Sequence, residues 1–370
     1  MYYSTVEIHL GRLQENFRQL QAAFPRQTLA PVIKTDAYGH GILQCAHALT
    51  SAGATHLCVY SIDEAAQLRA DGVKARIFTL GGVLFPEEIP LAATLENTTI
   101  SVWRRETIQV LSDYAAAHGK SLEFHLKIDT GMSRLGFFPA EVPEVVKFVA
   151  GLPGVRLAGA FTHLASADVP ESEHCFLQYE RFRQAIAALP PDATEIHIDA
   201  SPGLMRGVGL EFPYARPGII TYGYGHSQFH PELKLQPVME YKSRLASIKC
   251  VPVGETVSYG GRYAITGAPM RLGVVPVGYG YGYARALGEL GAPVLVRGRR
   301  VPIRGRVCMG MFMVDLSEVP EATVGDEVVL LGHQGAECIG VEELTNLLQT
   351  TQHEPLCNIG KEPHRIFLEN

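Results

Sequence analysis

Residues 29–42 read LAPVIKTDAYGHGI, a short apolar run that ends at Lys34 and is followed by glycine and turn-forming residues. An apolar run of this length between turn signals is typical of a buried strand. Seven more such runs follow, at residues 56–61, 76–80, 98–103, 123–129, 156–163, 195–200 and 218–223. Segments with apolar residues at helical spacing separate them, for example SIDEAAQLRADG and CFLQYERFRQAIAAL. Eight strand–helix repeats predict a (β/α)8 barrel of the TIM type, an α/β fold.

The pattern changes after about residue 230, where short alternating or β-branched runs are separated by glycine and proline. No long helical segment appears there until VEELTNLLQTT. We therefore expect a barrel over residues 9–230 and a mostly β C-terminal domain over residues 231–370. The opening TVEIHL also alternates, so residues 1–8 are expected to add a strand to the second domain.

Composition excludes several classes of function. The chain has 370 residues, is 46% hydrophobic and carries a net charge of −6, with no stripe of Lys and Arg for a phosphate backbone. No apolar run approaches the roughly 20 residues that span a bilayer. The seven cysteines are scattered without C-x-x-C spacing, so neither a disulfide framework nor a metal site is indicated. We expect a cytoplasmic protein that binds neither nucleic acid nor membrane.

In a barrel of this type, the catalytic residues lie at the C-terminal ends of the strands. Polar residues at or beside these ends are Lys34, Lys127, His163, Ser201 and the turn at residues 216–219. Taken singly, a strand-end lysine is usually solvated and a lone histidine usually packs in the core. Their convergence on one mouth favours an active site.

A lysine in an apolar barrel mouth is pushed toward the neutral amine, which is the form that makes a Schiff base with an aldehyde. Ser201 and the backbone of Gly218 and Ile219 follow the last two expected strands, where barrels commonly bind phosphate. A reactive lysine beside a phosphate site suggests pyridoxal 5'-phosphate (PLP) as cofactor.

Five motifs resemble blocks of the alanine racemase family, in the family's order: VIKTDAYGHG, HLKIDTGMSRLGF, ARPGIITYG, VSYGGRY and GRVCM. The resemblance covers nearly the whole chain, and that family has a PLP-binding barrel followed by a β domain. It implies an isomerase that interconverts L- and D-alanine. It also implies a homodimer in which each active site is shared between two chains.

The resemblance assigns Lys34 as the lysine that binds PLP covalently and as one of two acid/base groups, the other being Tyr259 from the partner chain. Racemisation needs both because the α-proton must leave one face and return to the other. Arg216 would face the pyridine nitrogen of PLP, which an arginine cannot readily protonate. The other assignments are Tyr38, Ser201, Gly218, Ile219 and His353 for the cofactor phosphate region, His163 beside the ring, Arg134 and the Met309 backbone N–H for the substrate carboxylate, and Lys127 as a lysine that is often carbamylated.

Four positions depart from the family pattern. Gly310 and Tyr281 replace acidic residues, Ala200 replaces an asparagine, and His353 replaces a tyrosine near the phosphate. Each change touches the pocket wall or its surroundings. A racemase of broader or different specificity, for example toward serine, therefore stays open.

Two further alternatives use the same two-domain plan. A PLP decarboxylase would resemble a pattern with an acidic residue at the pyridine nitrogen, where this chain has Arg216. A non-catalytic PLP-binding protein would have no need for Tyr259.

Overall fold

The computed structural model describes residues 3–225, 230–362 and 364–369. Strands occupy a large part of both halves of the chain. In chain order they are β1 Ser4–His9, β2 Thr28–Leu29, β3 His56–Val59, β4 Arg76–Thr79, β5 Thr98–Val102, β6 Leu122–Lys127, β7 Val155–Phe161, β8 Glu195–Ala200, β9 Tyr214–Arg216, β10 Met239–Arg244, β11 Ser247–Val251, β12 Thr256–Val257, β13 Tyr263–Ala264, β14 Met270–Val275, β15 Pro293–Val296, β16 Arg299–Pro302, β17 Phe312–Asp315, β18 Glu327–Gln334, β19 Glu337–Ile339 and β20 Arg365–Leu368.

The α-helices are Leu10–Ala23, Ile42–Ser51, Ile62–Ala70, Ile89–Ala92, Arg105–Ala117, Val142–Ala150, His174–Ile186, Ser201–Met205, Ala286–Glu289, Val341–Leu348 and His353–Ile359. Short 3-10 turns lie at Pro86–Glu88, Pro139–Glu141, Ile219–Tyr222, Tyr259–Gly261 and Tyr279–Tyr281. None of the helices within the described ranges is both long and apolar enough to cross a bilayer.

The chain divides into two compact units. The barrel unit comprises Leu13–Ala37 and Ile42–Gln236. The β unit comprises Met1–Arg12, Tyr38–Gly41 and Pro237–Asn370, as far as these ranges are described.

Eight parallel strands form the barrel, in the order β2, β9, β8, β7, β6, β5, β4 and β3. A parallel bridge between Val32 and Cys58 joins the two ends of this sheet, and the Ile33 N–H donates to the Cys58 carbonyl at 2.8 Å. Strand interiors such as Ile100, Phe124 and Leu157 are buried in the apolar core of the barrel unit. The predicted (β/α)8 barrel is confirmed.

The last predicted strand was wrong. Residues 218–223 were expected to form the eighth strand, but Ile219–Tyr222 is a buried 3-10 turn and the eighth strand is Tyr214–Arg216. The run resembles a strand because its residues are β-branched and apolar, but burial in the turn accounts for this composition, since all four residues of the turn are buried. The actual strand is only three residues long and lies between Pro213 and Pro217.

The β unit contains three sheets. Its largest sheet has seven strands, along which β16, β15, β18, β10, β1 and β20 pair in that order, while β19 pairs with β18. The N-terminal strand β1 lies antiparallel to β10 and parallel to β20. A second sheet contains β11, β14 and β17, and a third contains β12 and β13.

Barrel strands β7 and β8 pack so closely that Gly159 has no room for a side chain. A Cβ at Gly159 would lie 2.0 Å from the Glu195 carbonyl oxygen, whereas one at Gly151 would lie 3.6 Å from its nearest neighbour. We expect Gly159→Ala to lower stability by roughly 1–3 kcal/mol through overpacking. Gly151→Ala is the matched control and should leave the Tm close to that of the wild type. Thermal unfolding checks this, and equal Tm values for the two variants would contradict the close β7–β8 packing.

Candidate functional site

Lys34 begins a left-handed turn rather than ending a strand. The next three residues, 35–37, have φ values of 53° to 55° and ψ values of 44° to 55°. None of them is glycine, and a left-handed conformation costs an L-residue roughly 1–2 kcal/mol. The half-buried Lys34 is therefore followed by a strained segment that contacts with the surrounding structure must stabilise.

Two carboxylates hold this turn. Glu64 Oε1 accepts the Thr35 N–H at 2.6 Å, while Glu64 Oε2 accepts the Tyr60 N–H at 2.7 Å. Glu64 also forms a capping box with Ser61 at the start of its helix. Asp36 Oδ1 accepts the Ile42 N–H at 2.8 Å, which ties the turn to the start of the next helix.

Lys127 ends β6 and is only 6% exposed. Its Nζ lies 4.6 Å from the centre of the Phe161 ring. Burial lowers the pKa of Lys127 to about 7, and the nearby positive charges of Arg216 and Arg134 act in the same direction. The neutral amine is therefore well populated at neutral pH.

Arg134 lies on a loop that follows β6. Asp129 Oδ1 accepts the N–H groups of residues 131–133 at 2.9 to 3.0 Å, so one carboxylate oxygen shapes this loop. Gly136 is required sterically, because a Cβ there would lie 2.5 Å from the Asp129 nitrogen. The exposed Arg134 is therefore carried by a loop of defined shape.

Arg216 ends β9 and is 2% exposed. Its Nη2 donates to the carbonyl oxygens of Thr162 and Ile198 at 2.9 and 3.0 Å, and its Nη1 donates to His197 Nδ1 at 2.5 Å. No carboxylate among the described residues contacts the guanidinium. Two backbone carbonyls and one imidazole therefore fix the position of the guanidinium.

Ser201 follows β8, and its Oγ accepts the Gly218 N–H at 2.8 Å. This bond joins the predicted phosphate-binding residues of two neighbouring strands. The Ser201 O–H can still donate, because an oxygen that accepts keeps its own proton. The Ile219 N–H begins the 3-10 turn and finds no acceptor in the described parts of the chain.

His163 lies two residues beyond β7. Burial and the positive charges of Arg216 and Lys127 lower the pKa of His163 to about 3. The imidazole is therefore neutral at physiological pH.

Tyr38 and His353 contact each other within the β unit, with ring centroids 5.2 Å apart at an interplanar angle of 74°. The contact depends on close packing beside it. A Cβ at Gly39 would lie 2.6 Å from the Leu356 carbonyl oxygen, and one at Gly360 would lie 2.3 Å from the Gly39 Cα. The glycine after Tyr38 thus allows this segment to lie against the helix that begins at His353.

Tyr259 and Met309 lie on the surface of the β unit and are 67% and 65% exposed. Tyr259 follows Ser258, whose Oγ donates to the Arg306 carbonyl at 2.7 Å. The Gly280 N–H donates to the Met309 carbonyl at 2.9 Å, which joins the two glycine-rich loops. Both side chains are therefore accessible from the solvent.

Two of the departures from the family pattern lie beside each other. A Cβ at Gly310 would meet only the Tyr281 ring, at 3.9 Å. The space at the position where the family pattern has a carboxylate is therefore bordered on one side by this ring and is otherwise open. Ala200, in contrast, ends β8 and has no side chain that could replace the missing amide.

Three further polar residues of the barrel strands were not expected to contribute to the site, namely the buried His125 and His197 and the half-buried Glu195. His125, His197 and Glu195 are joined by hydrogen bonds of 2.7 and 2.9 Å, and His197 contacts Arg216. The signal was present, because polar residues alternate in EFHLK and in EIHID. Alternation places them on one face of a strand, and in a closed barrel that face points inward.

The donor set of the barrel mouth suits an anionic, phosphorylated cofactor. Arg216 Nε and the Ile219 N–H remain as donors without a partner among the described residues. Positive charges predominate, since Lys34, Arg134 and Arg216 all lower the pKa of Lys127 and only Asp129 raises it. Phosphate and carboxylate groups would offset this charge.

Two family models cover the chain. The alanine racemase N-terminal domain matches residues 8–226, and the alanine racemase C-terminal domain matches residues 238–367. The alanine racemase of Desulfovibrio desulfuricans is 38% identical over 368 residues, which are 98% of this chain and 97% of the relative. Alanine racemase 1 of Bacillus subtilis is 38% identical over 372 residues, covering 98% and 92% of the two chains.

Solved structures give the same result. The alanine racemase from E. faecalis superposes with a TM-score of 0.91 at 30% identity, covering 99% of this chain and 98% of that one. The Bacillus anthracis alanine racemase with bound L-Ala-P has a TM-score of 0.90 at 31% identity, covering 100% and 96%.

Amide hydrogen exchange at Thr35 measures how far Glu64 stabilises the left-handed turn. We expect Glu64→Ala to accelerate exchange of the Thr35 amide by more than about tenfold, because a hydrogen bond to a charged group is lost. Glu88→Ala is the matched control, since Glu88 caps its own helix by accepting the Leu84 N–H at 2.6 Å but does not contact the turn. Equal Thr35 exchange in the two variants would show that the turn does not depend on Glu64.

Proposed function

Because the chain belongs to the alanine racemase family, we propose that it is a PLP-dependent isomerase that interconverts L- and D-alanine. The observation that carries the proposal is the buried guanidinium of Arg216 at the barrel mouth. The same proposal includes a PLP-binding barrel over residues 9–230, a β domain over residues 231–370 with strand 1–8, and a homodimer in the cytoplasm.

Bound PLP supplies an electron sink that makes the α-proton of an attached amino acid acidic. Arg216 would donate to the pyridine nitrogen without giving up its own proton, because a guanidinium is not deprotonated in proteins. This weakens the sink compared with a site that has a carboxylate there. A weaker sink would disfavour transamination, which supports racemisation.

Lys34 and Tyr259 would act as the two acid/base groups, one on each face of the substrate. Lys34 would take or return the α-proton on one side, and Tyr259 of a second chain would do so on the other. The exposure of Tyr259 supports this role, because a partner chain can reach it. A non-catalytic PLP-binding protein would need neither the strained turn at Lys34 nor this tyrosine.

The remaining site residues would bind the ends of the cofactor and the substrate. Arg134 and the backbone N–H of the partner's Met309 would hold the substrate carboxylate, and His163 would hydrogen-bond beside the cofactor ring as a neutral imidazole. The phosphate would be held by Tyr38, Ser201, Gly218, Ile219 and His353.

The substrate pocket is expected to admit side chains larger than a methyl group, such as that of serine. His353 is smaller than the tyrosine it replaces in the family pattern. Gly310 also leaves open space, because only the Tyr281 ring approaches its Cβ position.

Racemisation of L-alanine by the PLP-loaded protein tests the function. Starting from pure L-alanine, we expect optical rotation to fall to zero with no release of CO2, and serine to react at more than a thousandth of that rate. Lys34→Ala should abolish activity. Lys120→Ala is the control, since Lys120 donates to the Ala93 carbonyl elsewhere in the barrel unit. Release of CO2 would indicate a decarboxylase, and absence of both reactions would indicate a binding protein.

We further propose that Lys127 is carbamylated. Its neutral amine would add to CO2 to give a carbamate and release one proton, and the neighbouring Arg134 and Arg216 would stabilise the new negative charge. An anion at this position would also orient Arg134 toward the substrate.

The reaction needs the unprotonated amine, and the pKa of Lys127 is lowered to about 7. The carbamate should therefore form as the pH rises through about 7 and disappear as it falls below. With ¹³C-bicarbonate at pH 8, we expect one carbamate carbon signal that Lys127→Ala removes and Lys120→Ala retains. A signal that survives Lys127→Ala, or no signal at all, would contradict the assignment.

A further inference from the structure

A line of hydrogen bonds runs through the barrel interior from Arg216 to the opposite end of the strands. Arg216 Nη1 contacts His197 Nδ1 at 2.5 Å, His197 Nε2 contacts His125 Nδ1 at 2.9 Å, and His125 Nε2 contacts Glu195 Oε2 at 2.7 Å. Both imidazoles are at most 1% exposed. Glu195 is the first residue of β8, and Arg216 is the last residue of β9.

The arginine determines the direction of every bond in this line. A guanidinium can only donate, so His197 Nδ1 must accept and its one proton must lie on Nε2. That proton is donated to His125 Nδ1, which places the His125 proton on Nε2, where it is donated to Glu195. A second proton on either imidazole would remove an acceptor and break the line.

Burial favours the neutral form of both rings. The pKa of His197 is held well below its ordinary value by burial and by the charge of Arg216. Burial also lowers the pKa of His125, although Glu195 opposes this effect. The pKa of Glu195 is raised by burial but lowered overall by its hydrogen bonds from His125 and Arg76, so its carboxylate is ionised.

The His197 ring cannot easily turn. The Phe161 ring stacks on it at 4.9 Å and 2°, and the Phe78 ring stacks on it at 5.2 Å and 13°. Two aromatic rings therefore fix the plane of the imidazole, so that only the position of its proton can still vary. Glu195 is held in turn by Arg76, whose Nη2 lies 2.9 Å from Glu195 Oε1.

Asp199 is the other acid near Arg216, but it does not act as the counter-ion. Neither of its carboxyl oxygens has a hydrogen-bond partner among the described residues. Burial raises the pKa of Asp199 well above its ordinary value, which favours the neutral carboxylic acid. The carboxylate that hydrogen bonds connect to Arg216 is therefore that of Glu195.

We infer that Glu195, acting through His125 and His197 in one fixed pair of tautomers, is a positioning residue that orients Arg216 toward the cofactor ring. This inference rests on the proposed PLP-dependent function for its effect on catalysis. The tautomers themselves are a property of the protein alone. Glu195, His125 and His197 are thus positioning residues for the reaction, and none of them needs to touch the cofactor.

Nitrogen NMR of the PLP-free protein with ¹⁵N-labelled histidine tests the tautomers. The chain has 14 histidines, so the signals of His125 and His197 are assigned from the spectra of His125→Asn and His197→Asn. We expect both rings to carry one proton, on Nε2, with no titration between about pH 6 and 8. A proton on Nδ1 of either ring, or titration of either ring in this range, would overturn the inference.

The role in catalysis is tested by comparing Glu195→Gln with Glu123→Gln in the PLP-loaded enzyme. Both carboxylates contact Arg76, at 2.9 and 2.7 Å, but only Glu195 contacts His125. Glu195→Gln should lower kcat about tenfold, with KM nearly unchanged, because a charge-assisted hydrogen bond is lost. It should also shift the visible absorption band of bound PLP. Glu123→Gln and Asp199→Asn should match the wild type in both measurements.

The results of these experiments distinguish a failure of the positioning role from a failure of the proposed function. Equal kcat and equal spectra for Glu195→Gln and Glu123→Gln would overturn the positioning role, even if the wild type racemises alanine. A wild type that binds PLP but does not racemise alanine would overturn the proposed function. The tautomers and the spectral shift in Glu195→Gln would still decide whether Glu195 acts on Arg216.

Discussion

The candidate site depends on a buried guanidinium that no carboxylate contacts in the described parts of the chain. Arg216 ends β9 and is hydrogen-bonded to the Thr162 carbonyl beyond β7, the Ile198 carbonyl of β8 and His197. These bonds join three neighbouring strands at the barrel mouth. A buried cation held in this way remains a donor without being able to give up its proton. The chemistry proposed for the mouth follows from that restriction.

The barrel could be predicted from the sequence because seven of its eight strands are apolar runs between turn signals. The eighth could not, since Tyr214–Arg216 has three residues and forms a strand only because β8 and β2 pair with it. The left-handed turn after Lys34 has no glycine at residues 35–37 and is held by the distant Glu64. Local sequence carries no signal for a conformation that tertiary contacts impose.

The site residues of the β unit differ from those of the barrel in their surroundings. Tyr38 and His353 pack against each other beside a contact between two glycine backbones, whereas Tyr259 and Met309 are two-thirds exposed. The resemblance to the family identified all four positions, but only the structure separates the packed pair from the exposed pair. Side chains exposed to this extent are accessible to a second chain, as the proposed shared active site requires.

The most direct test of this account is complementation between a Lys34→Ala protein and a Tyr259→Phe protein. Each should be nearly inactive alone. Unfolding and refolding them together in equal amounts gives about half heterodimers if pairing is random, and one of the two sites in each heterodimer is intact. The account predicts recovery of about a quarter of the wild-type activity, and none when the folded proteins are mixed without exchange. No recovery in a sample shown to contain heterodimers would place both bases on one chain and contradict the shared site.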